Sequence, residues 1–297
     1  MASLRDIRRK IGTVKNIRKI TTAMKMVAAA KLRRAQDRVA AARPYADKMK
    51  ELITRVAPLV PPEVVVRHRL LQSREAASIG VVVITSDRGM CGSYNNNIIR
   101  LALEFLNAKR AEGVQVELIT IGRRATNSLR TRGWPADQSF DMLDVNPQPE
   151  QVQAVLRAIV SLYTRDTDPV SEVYVAFAEF INAVTQVPRV DRFLPIEAGA
   201  VPDETAGGAQ LDFEFEPDPE RLLDVLLPRF VDNRVYQYLL EATASEYGAR
   251  MTAMSTASDN AGEMIDTLTL HYNRARQDAI TKELMDIVGG ASALGSD

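Results

Sequence analysis

The C-terminal third of the chain carries a stripe of side chains that recurs in alternating steps of four and three residues. The stripe continues through eleven steps, and no proline follows Pro228. Its members are Leu240, Ala244, Tyr247, Met251, Met254, Ser258, Ala261, Ile265, Leu268, Tyr272, Ala275 and Ala279. A heptad pattern sustained beyond about four heptads is typical of a coiled coil. The pattern therefore predicts a long helix that needs a partner helix, and its many small members favour close, uneven packing.

The N-terminal stretch predicts that partner helix. Residues 3–57 contain a single glycine, and Pro58 follows as a stop signal. Apolar residues recur at helical spacing, at Leu4, Ile7, Ile11, Val14, Ile17, Ile20, Met24 and Val27. We expect this stripe to face the C-terminal helix in an antiparallel pair.

The middle of the chain alternates between strand and helix patterns. Strand-length apolar runs occur at Ile79–Thr85, Val114–Ile121 and Val173–Phe177, with a weaker run at Arg192–Glu197. Helical patterns lie between them at Asn97–Ala111, Arg123–Arg132 and Glu150–Arg165. This alternation predicts an α/β fold of Rossmann-like type, with a mainly parallel sheet and helices on its faces.

These patterns divide the chain into four parts. We predict an N-terminal coiled-coil helix over residues 1–57, an α/β globular domain over residues 75–215, a C-terminal coiled-coil helix over residues 218–288 and a flexible tail over residues 289–297. Asp218 is the expected cap of the last helix, with Pro219 and Glu220 in its first turn.

The charge distribution is asymmetric although the net charge is zero. Residues 1–50 hold fifteen Lys/Arg and three Asp/Glu, a net of +12, whereas residues 51–297 hold 23 and 35, a net of −12. A basic helix of this kind fits either nucleic acid or the acidic loops of a protein partner, and charge alone leaves both open. The basic pattern continues to Lys50 without a cleavage signal, which favours a bacterial cytoplasmic protein over an organelle precursor.

One cysteine and two histidines limit the chemistry available to the chain. An intrachain disulfide is excluded, and we predict no catalytic, cofactor or metal site and no direct small-molecule ligand. The loop Ser86–Asn95 joins a strand to a helix and could cradle a phosphate, but it lacks the Gly-Lys-Ser/Thr ending of a Walker loop. A structural turn is the preferred interpretation, with Cys91 buried and inert. The acidic residues Asp212, Glu214 and Glu216 are read as a solvated or partner-facing strip.

Four segments together resemble the γ subunits of F-type ATP synthases. They are Ile7–Ile11 with Ile20–Lys31 and Arg43–Tyr45, the loop Ser86–Gly92, the Glu216–Pro219 run and the ending Tyr272–Leu284. The resemblance spans nearly the whole chain. It implies a non-catalytic rotor shaft that couples rotation of a membrane c-ring, driven by protons or sodium ions, to the conformational cycle of catalytic β subunits. It places the chain as a peripheral protein on the cytoplasmic face of the bacterial plasma membrane.

The resemblance also implies partners and contact residues. The partners would be three α and three β subunits, an ε subunit and the c-ring, with no nucleic acid. The residues that match contacts with the α/β hexamer are Met24, Lys25, Lys31, Arg34, Arg250, Gln277 and Thr281, and those that match the c-ring and ε contact are Phe213, Phe215 and Glu216. Three departures stand out: phenylalanine replaces the usual tyrosines at 213 and 215, Lys25 stands where many relatives are acidic, and Ser93-Tyr94 replaces Gly-Leu.

Two other functions remain as rivals on the residues alone. The basic arm would suit a coiled-coil protein associated with nucleic acid, and the Ser86–Asn95 loop would suit a small α/β enzyme that uses the long helices to oligomerise. Neither explains the matched ends. An exposed apolar seam predicts that the chain aggregates when it is expressed alone.

Overall fold

The computed structural model describes residues 3–56, 60, 68–72, 74, 78–196 and 218–294. Its helices are α1 (Leu4–Val56), α2 (Tyr94–Ala111), α3 (Arg123–Arg130), α4 (Pro149–Thr164) and α5 (Pro219–Leu294). Its strands are β1 (Ser78–Ile84), β2 (Gln115–Ile121), β3 (Gln138–Phe140), β4 (Glu172–Phe180) and β5 (Gln186–Leu194). By internal contacts the chain divides into a helical unit, Met1–Val27 with Met251–Asp297, and a globular unit, Ala28–Arg250.

The globular unit is built on a five-stranded sheet in the order β3-β2-β1-β4-β5. The first four strands are parallel, and β5 returns antiparallel along β4. The predicted α/β class with a mainly parallel sheet is therefore confirmed. β1 is almost wholly buried because helices cover both faces of the sheet, as a run of Val and Ile residues in a parallel sheet requires.

Side chains of alternate parity along β1 enter two different cores. Val82 and Ile84 pack with α4 and with residues of α1 and the start of α5, whereas Val81 and Val83 pack with α2 and α3. The period-two alternation of a strand thus produces a three-layer arrangement. The order of strands reverses between β1 and β4, so the crevice at their carboxyl ends is the switch point where ligands bind in folds of this type.

Two strands differ from the sequence-based expectation. β3 is only three residues long and was not predicted. β5 begins at Gln186, six residues before the predicted Arg192, and contains Pro188. β5 is an edge strand, where a proline costs no ladder hydrogen bond and charged residues face solvent, so it lacks the apolar signature of an internal strand.

The last helix begins as predicted. The Asp218 carboxylate accepts a hydrogen bond from the backbone N–H of Arg221 at 3.1 Å, which is the geometry of an N-cap. The helix then continues through Pro228 to Leu294, six residues beyond the predicted end at residue 288.

The helical unit is an antiparallel pair. Thr22 Oγ1 lies 2.8 Å from Ser258 Oγ, and Lys25 Nζ donates to Ser255 Oγ at 2.9 Å, so residue numbers rise along one helix as they fall along the other. On α5 the predicted seam positions from Met251 to Ala279 are all buried or half-buried. The seam prediction is confirmed for that helix.

The predicted stripe on α1 is only half correct. Leu4, Ile7, Ile11 and Val14 are buried or half-buried, but Ile17, Ile20 and Val27 face solvent. After Val14 the next buried position is Thr21, seven residues on, and its hydroxyl donates to the Arg18 carbonyl at 3.1 Å. A small threonine suits the close approach of two helices, whereas the isoleucines lie on an adjacent face.

Candidate functional site

The loop Ser86–Asn95 folds back on itself. The Asn95 amide oxygen accepts a hydrogen bond from the Ser86 backbone N–H at 3.0 Å, and its nitrogen contacts Ser86 Oγ at 2.8 Å and Cys91 Sγ at 3.1 Å. Ser86 Oγ also donates to the Arg88 carbonyl at 2.7 Å. These polar groups are satisfied within the loop, which supports the structural interpretation.

The N-terminus of α3, beside this loop, is already capped by a carboxylate of the same chain. The Asp87 carboxylate accepts hydrogen bonds from the backbone N–H groups of Arg123 at 3.0 Å and Met142 at 3.1 Å. An Asp at a helix N-terminus takes the place that a bound anion would take. Asp87 therefore ties the loop to α3 and to the segment before α4.

The switch-point crevice is filled by the chain's own last helix. The Tyr94 hydroxyl, at the start of α2, donates to the Ala242 carbonyl at 3.1 Å, and Ser245 Oγ donates to the Ala178 carbonyl of β4 at 2.9 Å. Burial raises the pKa of the Tyr94 hydroxyl well above its usual value. A helix seated where a nucleotide would bind argues against the α/β enzyme hypothesis.

The buried part of α5 also contains an ion pair. Glu246 and Arg250, one turn apart on α5, form a salt bridge, and both side chains are about nine-tenths buried. Burial raises the pKa of Glu246 although the Arg250 guanidinium opposes the shift. Within the described part of the chain, Arg250 Nε has no hydrogen-bond partner.

The thiol of Cys91 lies near this pair. Its side chain is buried, and burial raises the pKa of the thiol. Because the thiolate is the reactive form, burial and a raised pKa both disfavour reaction at this cysteine, which supports the prediction of an unreactive thiol.

A second polar cluster joins α1, the segment before α4, and α5. Lys31 Nζ donates to both oxygens of Asp144, at 2.8 and 3.2 Å, and to the Tyr247 hydroxyl at 3.1 Å. Burial lowers the pKa of Lys31, but the hydrogen bonds to Asp144 and Tyr247 outweigh it and raise the pKa overall. The hydrogen bond from Lys31 holds the pKa of Asp144 below its usual value.

The structure places the predicted contact residues in two groups. In the globular unit Lys31 and Arg250 have partners within the chain, whereas Arg34 is exposed. In the helical unit Met24 is half-buried, and the exposed members are Lys25, Gln277 and Thr281. Phe213, Phe215 and Glu216 lie outside the described residues, as does the rest of the acidic strip. Sequence reasoning missed Asp87, Asp144 and Glu246, because nothing in the local pattern marks a loop or helix carboxylate as a tertiary contact.

The helical unit exposes many large apolar side chains. Ile20 is 60% exposed, Leu270 72% and Val288 59%, and the others are Ile17, Met26, Val27, Met264, Ile280, Leu284, Met285 and Ile287. The same unit contains a groove of about 800 Å³ between its two helices, with Arg9, Lys10 and Glu263 at its polar positions. Extensive exposed apolar surface rimmed by charges marks a protein interaction site.

The described residues contain no group of three or more His, Cys, Asp or Glu side chains arranged to hold a metal ion. Within the same ranges, no helix combines the length and the apolar character needed to cross a membrane.

Comparison with known proteins relates the whole chain to one family. A family model described as ATP synthase matches residues 3–294. The chain is 46% identical over 294 residues to the ATP synthase gamma chain of Moorella thermoacetica, covering 99% of this chain and 100% of the relative. It is 48% identical over 296 residues to that of Anaeromyxobacter sp., with the same coverage.

Solved structures share the fold. A chain of the Euglena gracilis mitochondrial ATP synthase, described as OSCP/F1/c-ring in rotational state 3, aligns with a TM-score of 0.68 and 19% identity over 98% of this chain and 94% of that one. A chain of the Tetrahymena thermophila mitochondrial central stalk and c-ring aligns with a TM-score of 0.59 and 24% identity over 80% and 99%. At these identities the likeness concerns the fold alone.

Proposed function

Because the chain belongs to the ATP synthase gamma chain family, we propose that it is the central rotor shaft of an F-type ATP synthase. The observation that carries the proposal is the end-to-end match to gamma chains, at 46% identity over 99% of this chain and all of one relative. In this role the chain catalyses no reaction itself. It turns within a head of three α and three β subunits, and the catalytic β subunits pass through their nucleotide states in response.

The exposed apolar surface of the helical unit supports this role. In an isolated protein, side chains such as Ile20 and Leu270 would face water at a cost of roughly 25 cal/mol per Å². A sleeve of surrounding subunits would cover them. The surplus of basic residues at the N-terminal end fits acidic loops on such a sleeve, since charge complementarity favours specificity more than affinity.

The contact residues of the hexamer remain part of the proposal. Met24, Lys25, Gln277 and Thr281 would meet the α and β subunits from the helical unit, and Arg34 from the globular unit. Lys31 and Arg250 would contact β subunits only by exchanging or sharing their intrachain partners, Asp144 and Glu246. We rank these two below the others as direct contacts.

We propose that Phe213, Phe215 and Glu216 form the foot of the shaft, which contacts the c-ring and the ε subunit. The complex would use protons or sodium ions and would hold this chain peripherally on the cytoplasmic face of the bacterial membrane. In this proposal residues 1–57 and 218–288 are the two helices of the shaft, residues 75–215 are the α/β globular domain, and residues 289–297 are the tail.

Reconstitution tests the proposal. The chain is co-expressed with the α and β subunits of its own organism, and the products are separated by size exclusion and assayed for ATP hydrolysis. We expect a complex of three α, three β and one copy of this chain that hydrolyses ATP far faster than α and β alone. A chain that elutes separately and leaves hydrolysis unchanged refutes the rotor assignment, and salt-dependent DNA binding would then be the next assay.

A further inference from the structure

One short acidic segment of the globular unit lies against a basic part of α1. It consists of residues 141–147, which join β3 to α4, and is called the acidic strap below. Leu143 and Val145 of the strap are buried, whereas Asp141 and Asp144 are exposed. Burial of the two apolar side chains is favourable, so it holds the two carboxylates on this part of the surface.

The acidic strap pairs with basic side chains of two helices. Both carboxylate oxygens of Asp144 accept hydrogen bonds from Lys31 Nζ of α1, at 2.8 and 3.2 Å. Asp141 Oδ1 lies 3.5 Å from Nε of Arg123, at the start of α3. The Asn146 side-chain oxygen accepts a hydrogen bond from Arg38, two turns after Lys31 on α1. The strap thus supplies positive groups of α1 and α3 with acceptors from the same chain.

These ion pairs are open to solvent. The side chain of Asp144 is 62% exposed and that of Asp141 is 75% exposed. An exposed ion pair is weak because water and salt screen both charges. A carboxylate of another protein can therefore reach the same basic groups and take the place of the strap.

The surroundings of the strap favour an acidic protein as that competitor. Arg33 and Arg34 are exposed beside Lys31 on α1. They belong to the stretch of residues 1–50 that carries a net charge of +12. Such a surface attracts acidic loops, and the strap is the acidic loop that the chain itself provides.

We propose that the acidic strap is an internal competitor, which occupies Lys31 and Arg123 in place of acidic loops of the surrounding subunits. A partner carboxylate that binds Lys31 replaces Asp144, so one ion pair forms as another breaks and the net gain in affinity is small. A shaft that turns past three β subunits needs contacts that form and release in every turn. The inference rests on the proposed rotor function and adds a control on how strongly the head binds the shaft.

Asp144→Asn tests the competitor directly, because it removes the charge and keeps the shape of the side chain. The variant and the unaltered chain are each assembled with the α and β subunits of their own organism, and ATP hydrolysis is measured from low to high salt. We expect Asp144→Asn to slow hydrolysis by about twofold to fivefold at low salt, because the freed Lys31 binds the head longer. The difference should vanish at high salt, which screens the freed charge. An equal or faster rate at low salt overturns the inference.

Asp166→Asn is the matched control. Asp166 forms an exposed ion pair with Arg69 at 2.7 Å in the same unit, outside both the strap and the basic part of α1. This variant also loses one exposed ion pair, and we expect it to leave the rate and its salt dependence unchanged. A slowing equal to that of Asp144→Asn would show a general effect of losing an ion pair and would contradict the competitor role.

The double variant Lys31→Gln with Asp144→Asn tests whether the two residues act together. Without Lys31 there is no ammonium group for Asp144 to occupy, so the double variant should hydrolyse ATP at the rate of Lys31→Gln alone. If Asp144→Asn slows both backgrounds by the same factor, Asp144 acts in another way and the inference is refuted. If the unaltered chain fails to activate hydrolysis, the rotor function itself is wrong and the competitor role falls with it.

Discussion

The backbone around Gly122 leaves no room for a side chain. Its φ is +96°, and a Cβ there would lie 2.1 Å from the Thr85 carbonyl oxygen. We expect Gly122→Ala to lower the free energy of unfolding by more than about 3 kcal/mol, since backbone strain and a backbone clash add. Urea unfolding of the full-length chain at low concentration measures it.

Gly113 provides the control for that substitution. Its φ is +78°, but nothing lies within 4 Å of a Cβ placed there. Gly113→Ala should therefore cost only the left-handed conformation, about 1–2 kcal/mol. Equal costs at the two positions would show that the contact with Thr85 is unimportant.

The Lys31–Asp144 pair predicts a small, pH-dependent effect. The folded pKa of Asp144 lies below the ordinary value of 3.8, so its stabilisation is present above that pH and is lost as the pH falls through the folded pKa. Because Asp144 is largely exposed, Asp144→Asn should lower the free energy of unfolding by about 1 kcal/mol or less at neutral pH. Urea unfolding at neutral and acid pH should show the difference shrinking in acid. Asp259→Asn, on an exposed part of α5, should have no such effect.

Removing one member of the buried pair Glu246–Arg250 should cost more stability than removing both charges together. Glu246→Gln leaves a buried guanidinium unpaired and should cost about 3 kcal/mol. The double variant Glu246→Gln with Arg250→Met should be closer to the native chain, because no buried charge remains. A double variant that is less stable than either single variant would contradict this account. The four chains of the cycle are compared by urea unfolding.

At the scale of helices and strands, periodicity in the sequence predicted those elements whose burial follows a regular spacing. The seam on α5 was found because burial there follows the heptad from Met251 to Ala279. The strands β1, β2 and β4 were predicted because strands that are covered on both faces carry apolar runs, which are longest in β1 and shorter in β2 and β4. β5 was misplaced and β3 was missed, since an edge strand with Pro188 and a three-residue strand carry little apolar signal.

The stripe on α1 failed for a different reason. Hydrophobic spacing shows that Ile17, Ile20 and Val27 share a face, but it does not show which protein covers that face. In the chain these residues are exposed, and small Thr21 takes the seam position. The sequence of one subunit cannot separate an intrachain seam from a surface that another subunit covers.

This difference can be measured with one type of substitution. Ile20→Thr should change the free energy of unfolding by no more than about 0.5 kcal/mol, whereas Val14→Thr, at a buried position of the same helix, should cost about 1 kcal/mol or more. Ile20→Thr should also reduce light scattering by the isolated chain. An equal loss of stability for both variants would place Ile20 inside the fold.

At the scale of the whole molecule, the switch-point crevice of the α/β domain is filled by the chain's own last helix. The loop Ser86–Asn95 was interpreted as a turn because it lacks the Walker ending, and in the structure Ser86 and Asn95 bond to each other across it. The filling of the crevice by α5 could not be predicted, since Tyr94 and Ala242 are 148 residues apart and no local pattern links them. Tertiary contacts of this kind come from the assembled fold, not from periodicity.

Rotation of a single complex is the most direct test of the central claim. The α and β subunits are fixed to a surface, and a bead is attached to the α/β domain through Asn127→Cys, an exposed position on α3, while native Cys91 stays buried. On addition of ATP, the account predicts stepwise rotation of the bead in one direction. A bead that stays still while the complex hydrolyses ATP at its full rate would contradict the assignment of this chain as the shaft.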